Sequence, residues 1–172
     1  EDFKTLIKGY GNALNAEYFD KTTGDYCSGE QGANAFAIIA KLGDERTRKN
    51  LDRRYSQIKA FDTGIFATKY LPKTLFDLGY SDTAIELYTS TDKVSFNSWI
   101  KDGATTLYES WLDTRSLNHP MFGSVVEYLF TDVLGIKQVG CKYKKIIISP
   151  KKIKILQRVS GSILTVSGRI PL

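Results

Sequence analysis

Apolar residues recur at helical spacing through most of the first 134 residues, which predicts a series of amphipathic helices. The predicted apolar stripes are Ile7, Tyr10, Leu14 and Tyr18, then Ala35, Ile38, Ile39 and Leu42, then Leu51, Tyr55 and Ile58. The periodicity weakens between residues 89 and 119, where polar and aromatic residues alternate without a clear spacing. We therefore expect helices on both sides of an irregular loop.

Residues that favour helix ends predict where these helices begin and stop. Ser28 and Gln31 have the spacing of a capping box, and Asp44 is suited to cap the following helix. Pro72 falls inside a helix expected over residues 63–78, where it removes a backbone hydrogen bond and predicts a kink. The other predicted boundaries are Gly43 and Gly79 as stops and Ser81 as a cap.

The pattern changes from helical to strand-like near residue 135. Pro120 suits the first turn of a last helix, whose predicted buried face carries Val126, Leu129, Phe130 and Val133 and which stops at Gly135. The predicted strands are Tyr143–Ile148, Ile153–Val159 and Ser162–Ile170. Helices followed by strands indicate an α+β fold or two domains. We expect a helical domain over residues 1–137 and a β-domain over residues 138–172.

The charge distribution supports a division into two modules. The net charge is +5, yet all nineteen acidic residues lie at or before Asp132, and the last forty residues carry nine basic residues. One interpretation is a site for a polyanion, formed by Lys142, Lys144, Lys145, Lys151, Lys152 and Lys154. The other is that lysines occupy the solvated faces and edges of the predicted strands. The second is favoured, so we expect no nucleic acid as a partner.

Other classes of protein find little support in the sequence. No basic and apolar leader is visible, and no apolar run approaches the ~18 residues needed to cross a bilayer, so no membrane partner is expected. Cys27 and Cys141 have no metal-binding spacing and are expected to be buried thiols. No metal or cofactor is therefore predicted.

The candidate chemistry lies in the irregular segment that separates the two helical stretches. Trp99, Asp102, Glu109, Trp111 and His119 all fall within it. Aromatic faces can stack on sugar rings, and a glutamate can activate water or protonate a leaving oxygen. Taken singly, the glutamate could be a surface acid, the histidine a packing residue and the tryptophans core residues. Spacing alone leaves both interpretations open.

Two consecutive motifs resemble the paired signature of bacterial α-L-rhamnosidases. They are Gly103-Ala104-Thr105-Thr106-Leu107-Tyr108-Glu109-Ser110-Trp111 and Ser116-Leu117-Asn118-His119-Pro120-Met121-Phe122-Gly123. Other segments similar to the family, in the same order, are 29–35, 61–65, 78–80, 160–162 and 168–170. The resemblance covers nearly the whole chain. Two residues depart from the family's pattern, Pro72 inside a helix and Tyr108 where a tryptophan is commoner.

The resemblance implies a fold and an activity. The fold is an (α/α)₆ barrel of six helical hairpins followed by a β-sandwich, so this chain should be mainly α with a β tail, a partial barrel and the start of the sandwich. The activity is release of terminal α-L-rhamnose from glycans or glycosides by an inverting hydrolase. Glu109 matches the general base and His119 a sugar-binding histidine. Trp99, Trp111 and Asp102 are expected as further sugar contacts.

The same resemblance implies that the chain lacks the general acid, because the family's acidic cluster has no counterpart before Glu109. We expect the chain to be inactive alone and to self-associate through the exposed surface of an open half-barrel. A carbohydrate-binding remnant without turnover is the alternative. Such a protein would be bacterial, in the cytoplasm or the periplasm.

Overall fold

A computed structural model describes residues 2–91, 93–112 and 116–172, in which helices come first and short strands follow. The α-helices before the loop are Phe3–Tyr18 (α1), Ala33–Ile39 (α2), Glu45–Ile58 (α3), Ile65–Leu78 (α4), Ser81–Thr89 (α5) and Phe96–Lys101 (α6). A mixed helix follows the loop, with 3₁₀ geometry over Pro120–Val125, α geometry over Val126–Tyr128 (α7) and π geometry over Leu129–Val133. None of the described helices has the length and apolar character needed to span a bilayer.

The helices form two layers, as in a set of consecutive helical hairpins. α4 packs between α2 and the first part of the mixed helix, and these elements form one layer. α3 packs on α2 and α5, and α5 packs on α4, so that α3 and α5 form the layer behind. The core between the layers is sealed by side chains without solvent exposure: Leu51, Tyr55, Leu71, Leu75, Phe76 and Leu87. The expected partial barrel of hairpins is thus confirmed.

Some helix ends agree with the sequence prediction and others do not. Asp44 caps α3 as expected, with its carboxylate accepting from the backbone N–H of Arg46 and Thr47. The capping box at Ser28 and Gln31 is wrong, because Ser28 lies in a 3₁₀ turn, Cys27–Gly29, and α2 begins at Ala33.

Three further boundary predictions concern α2, α4 and α5. α2 ends at Ile39, well before the predicted stop at Gly43. Ser81 is the first residue of α5 and makes no capping hydrogen bond, so its predicted role is wrong. α4 ends at Leu78, so the predicted stop at Gly79 is confirmed. The helix includes the buried Pro72, and the kink expected there stays a prediction.

The mixed helix buries a face that matches the predicted one only in part. Val133 is buried as predicted and Phe130 is half-buried, whereas Val126 and Leu129 are exposed. The other buried residues are Phe122, Val125, Tyr128 and Asp132. The successive 3₁₀, α and π turns rotate the side chains differently, so a constant period of 3.6 residues selects the wrong positions. Burial of Tyr128 raises its pKa to about 12.

The C-terminal strands form two antiparallel hairpins. The first joins Ile136–Val139 (β1) to Lys145–Ile148 (β2), and the second joins Ser162–Thr165 (β3) to Gly168–Pro171 (β4). The predicted single strand at 162–170 is therefore a hairpin. The predicted strand Ile153–Val159 is wrong, since that segment has no strand geometry.

The apolar residues of that segment pack on the helical core instead. Ile153 and Leu156 lie against it. The carboxylate of Asp82, in the first turn of α5, accepts from the backbone N–H of Lys154 at 2.6 Å and of Ile155 at 3.2 Å. The apolar residues whose alternation indicated a strand therefore pack against helices instead. The domain boundary at 137/138 and the start of a β-sandwich stay predictions.

The two cysteines differ from the sequence expectation. Both Cys27 and Cys141 are free and exposed rather than buried. Cys27 lies in the 3₁₀ turn and Cys141 in the loop between β1 and β2. Their short side chains are carried by surface turns, which apolar character alone does not reveal.

One side of the helical layers carries exposed apolar side chains. The layer formed by α2, α4 and the mixed helix exposes Phe36, Ile39, Phe66, Tyr70 and Met121. The exposed apolar residues of α1 are Phe3, Ile7, Tyr10, Leu14 and Tyr18. Large exposed apolar patches mark interaction surfaces or aggregation-prone surfaces. The stripe predicted for α1 is therefore present on a helix but is not buried in the chain.

Self-association is the expected consequence of this surface. Phe66 is 70% exposed, so the change Phe66→Glu removes apolar surface at little cost to folding. Sedimentation velocity should show oligomers of the parent chain and a shift toward monomer in the variant. A parent chain that is monomeric at tens of micromolar would contradict the prediction.

Candidate functional site

The segments that precede α2, α4 and the mixed helix meet at one end of the helical layers. Gly32 has a positive φ of 80°, and a Cβ there would lie 3.2 Å from the Cβ of Ala67 and 3.3 Å from Cγ2 of Thr63. Glycine satisfies both the conformation and the close approach. The indole Nε1 of Trp111 donates to the carbonyl of Thr63 at 2.7 Å, which brings the third segment to the same place.

Asp62 organises two of these segments. Its carboxylate accepts from the hydroxyl of Tyr55 at 2.7 Å, from Nη2 of Arg54 at 2.6 Å and from the backbone N–H of Gln31 at 3.2 Å. The Tyr55 hydroxyl in turn accepts from the backbone N–H of Gly32 at 3.1 Å. Burial, and then the hydrogen bond to Asp62, raise the pKa of Tyr55. Tyr55 therefore stays a neutral donor to Asp62.

Beside this network lies an aromatic cluster made of Phe61, Tyr88, Phe96, Trp99, Tyr108, Trp111 and Phe122. Trp111 is central in it, with ring centroids 4.4 Å from Phe122, 4.5 Å from Trp99 and 5.0 Å from Phe61. The Phe61 and Trp111 rings are nearly parallel, at 11°. Offset stacking and tilted contacts of this kind stabilise aromatic pairs beyond their buried area.

The two sequence motifs pair side by side in a motif ribbon, which we define as residues 106–109 and 116–119. The backbone N–H of Glu109 donates to the carbonyl of Ser116 at 2.9 Å, and that of His119 donates to the carbonyl of Leu107 at 2.8 Å. The Thr106 hydroxyl donates to the carbonyl of Leu117. Backbone pairing of this kind fixes one motif against the other.

The ribbon places Glu109 and His119 on opposite arms of one small structure. Both side chains are half-buried, and His119 leads directly into Pro120 at the start of the mixed helix. The His119 Nδ1 is buried and has no hydrogen-bond partner among the described residues. A carboxylate and an imidazole are thus held at the same end of the layers, beside the aromatic cluster.

The other predicted contact residues lie in different surroundings. Trp99 is 5% exposed, and its ring packs within the aromatic cluster. Trp111 is half-buried and holds the contacts described above. Asp102 is exposed at the end of α6, and no hydrogen bond of its carboxylate to the ribbon occurs among the described residues. The structure therefore joins the two tryptophans to the ribbon, and leaves Asp102 apart from it.

Sequence reasoning missed the residues that support the ribbon. Asp62 and Thr63 lie in a segment noted only for its resemblance, and Tyr55 was assigned only to an apolar stripe. An acid followed by a threonine and a glycine before a helix is a signal for an ordered loop. The partners of such a loop are distant in sequence, so only the fold reveals them.

Metal chemistry finds no support in the described part of the chain. No group of three or more His, Cys, Asp and Glu side chains comes close enough together there to hold an ion. The arrangement instead offers one carboxylate and one imidazole next to a rigid aromatic wall, which suits binding and proton transfer on a polar organic ligand.

Comparison with known proteins also indicates a carbohydrate-active enzyme family. Residues 1–133 match the family model of the bacterial α-L-rhamnosidase six-hairpin glycosidase domain. The chain is 30% identical to an α-L-rhamnosidase of Alteromonas sp. strain LOR, over 97% of this chain and 20% of that protein. It is 25% identical to an α-L-rhamnosidase of Formosa agariphila, over 98% of this chain and 19% of that protein. The chain thus spans about a fifth of these relatives.

Solved structures share the fold. The α-L-rhamnosidase of Dictyoglumus thermophilum superposes with a TM-score of 0.80 at 26% identity, over 98% of this chain and 20% of that one. The α-L-rhamnosidase of Streptomyces avermitilis, complexed with L-rhamnose, gives 0.81 at 22% identity, over 98% of this chain and 18% of that one. Fold, paired motifs and family model agree: the chain belongs to the bacterial α-L-rhamnosidase six-hairpin glycosidase family.

Proposed function

We propose that this chain supplies the general base and part of the sugar-binding wall of an inverting α-L-rhamnosidase. The observation that carries the proposal is the motif ribbon, which holds Glu109 and His119 on paired arms at one end of the hairpin layers. The substrate would be a glycan or glycoside that ends in α-L-rhamnose. The relative complexed with L-rhamnose supports this substrate class.

Glu109 would accept the proton of the attacking water. In an inverting glycosidase the base and the acid lie on opposite faces of the sugar, ~6.5–9.5 Å apart, which leaves room for one water. The water oxygen bonds to the anomeric carbon as the bond to the leaving oxygen breaks, and the acid protonates that oxygen. The half-buried position of Glu109, on a hydrogen-bonded ribbon, suits a base that must face one atom.

His119 would orient the sugar through its imidazole. It sits across the ribbon from the Glu109 arm, and its backbone is fixed by the bond to the carbonyl of Leu107. A neutral imidazole can donate from one nitrogen and accept with the other, which matches a sugar hydroxyl. Loss of this residue should therefore weaken binding more than it slows proton transfer.

The general acid is not supplied by the carboxylates near the ribbon. Asp62 is occupied by three hydrogen-bond donors. Asp102 is exposed at the end of α6. Asp92, a third aspartate to consider, lies outside the described residues. We therefore infer that the acid comes from polypeptide other than this chain, as the family resemblance implies.

We expect the isolated chain not to hydrolyse an aryl α-L-rhamnoside at a measurable rate. An inverting site without its acid loses a contribution of about 10²–10⁴-fold, besides the walls that hold the substrate. Release of the aryl alcohol should equal that of a buffer blank. Turnover that copurifies with the chain and disappears in Glu109→Ala would contradict the inference and require an acid within the chain.

A chimaera tests Glu109 directly. In it, this chain replaces the matching region of the Streptomyces avermitilis α-L-rhamnosidase, which supplies the remaining polypeptide. Glu109→Ala should lower hydrolysis by about 10²–10⁴-fold, since water loses its proton acceptor. Azide needs no base and should partly restore turnover of an activated aryl rhamnoside, giving the β-configured rhamnosyl azide.

The control for this variant is Glu17→Ala, the same change at an exposed position of α1, which should leave activity unchanged. Full water-dependent activity in Glu109→Ala would reject the general base. An α-configured azide would reject the inverting geometry.

His119→Ala in the same chimaera should raise KM for the rhamnoside by about tenfold or more, with a smaller change in kcat. The reason is that a hydrogen bond to the sugar is made in the ground state as well as in the transition state. Steady-state kinetics over a range of substrate concentrations measure both constants. An unchanged KM with a large fall in kcat would place His119 in proton transfer instead.

A further inference from the structure

Trp111 is fixed at its side chain and at its backbone. Its indole Nε1 donates to the carbonyl of Thr63 at 2.7 Å, and its own carbonyl accepts from Nε1 of Trp99 at 3.4 Å. Its ring lies parallel to Phe61 and in tilted contact with Phe122. These contacts define the position and orientation of a residue only two places after Glu109.

The acceptor of that indole hydrogen bond belongs to a rigid loop. Thr63 is buried, and its hydroxyl is hydrogen-bonded to the hydroxyl of Thr68 at 2.6 Å. Its neighbour Asp62 is held by Tyr55, which has no exposed surface. On the other side, the backbone N–H of Phe61 donates to the carbonyl of Val94 at 2.8 Å. The Thr63 carbonyl is therefore a well-fixed acceptor for the indole of Trp111.

We propose that Trp111 is a positioning residue for Glu109, acting through its indole hydrogen bond to the Thr63 carbonyl. The role rests on the proposed function of Glu109 as the base. The hydrogen bond ties the first arm of the ribbon to the loop before α4, whereas the backbone bond between Glu109 and Ser116 ties that arm only to the other arm. Without the indole bond, the first arm loses its tie to that loop and separates more easily from the other arm.

A tryptophan is required because the interaction combines a large ring with a donor at its edge. Phenylalanine can occupy the space between Phe61 and Phe122, but it has no N–H for the carbonyl of Thr63. That carbonyl would then keep only the longer hydrogen bond from the Thr68 hydroxyl, at 3.2 Å. A displacement of about 1 Å can cost about 10²-fold in rate when a base must face one bound water.

The first test measures the ribbon itself in the 172-residue chain. Trp111→Phe should accelerate amide hydrogen exchange at Glu109 by about tenfold, because its bond to Ser116 then opens more easily. The matched control is Tyr88→Phe, which also removes one hydrogen-bond donor from a ring of the aromatic cluster. That donor is the Tyr88 hydroxyl, which bonds to the carbonyl of Val125 at 3.3 Å. Tyr88→Phe should leave exchange at Glu109 within about twofold of the parent.

The same measurement can overturn the proposal. If Glu109 exchanges no faster in Trp111→Phe than in Tyr88→Phe, the indole bond does not hold the ribbon. A uniform acceleration at all amides in both variants would show a loss of global stability only, and would equally reject the positioning role. This test does not depend on catalysis.

The second test uses the chimaera. Trp111→Phe should lower kcat by about 10–10²-fold with KM within about threefold, and azide should restore part of the lost turnover because it bypasses the base. The control here is Tyr26→Phe, which removes a hydroxyl donor to the Asn15 side chain outside the aromatic cluster and should keep the parent kcat. If Glu109→Ala abolishes hydrolysis while Trp111→Phe retains the parent kcat, the positioning role fails and the general base stands. If Glu109→Ala retains hydrolysis, the proposed function fails, and with it the role of Trp111 in it.

Discussion

The hydrogen bond between the Trp111 indole and the Thr63 carbonyl connects the two parts of the molecule that carry the proposed chemistry. On one side of it lies the loop before α4, held through Asp62 and Tyr55 to the helix behind. On the other side lies the motif ribbon with Glu109. Because hydrogen bonds are short and directional, this contact fixes the position of the ribbon relative to the packed helices.

The helices and the site depend on different kinds of contact. Apolar burial between the two layers holds the hairpins together, and this force is non-directional and tolerant of small shifts. The ribbon depends on backbone hydrogen bonds and on the stacked rings of Phe61 and Trp111, which allow little displacement. The helices can tolerate small shifts while the ribbon keeps its position, because the aromatic cluster lies between the two.

The sequence predicted the helices wherever apolar residues followed a constant period, α1 included, although its stripe is exposed. Asp44 was correctly predicted as a cap, whereas the capping signals at Ser28 and Ser81 were wrong. The predictions failed where distant contacts decide the outcome. The segment 153–159 packs on helices instead of forming a strand, and the face of the mixed helix follows its change of turn geometry. The candidate site was found through its motifs, whereas its support by Asp62, Tyr55 and Thr63 required the fold.

As the general base, Glu109 must face the anomeric carbon from the side opposite the leaving group. A crystal structure of the chimaera with bound L-rhamnose shows whether it does. We expect the β-anomeric hydroxyl of the bound sugar, which stands where the attacking water was, to donate to the Glu109 carboxylate, and His119 to bond to another sugar hydroxyl. We also expect a separation of about 6.5–9.5 Å between Glu109 and the opposing acid. A Glu109 carboxylate turned away from the sugar, or on the α face of the anomeric carbon, would reject Glu109 as the general base.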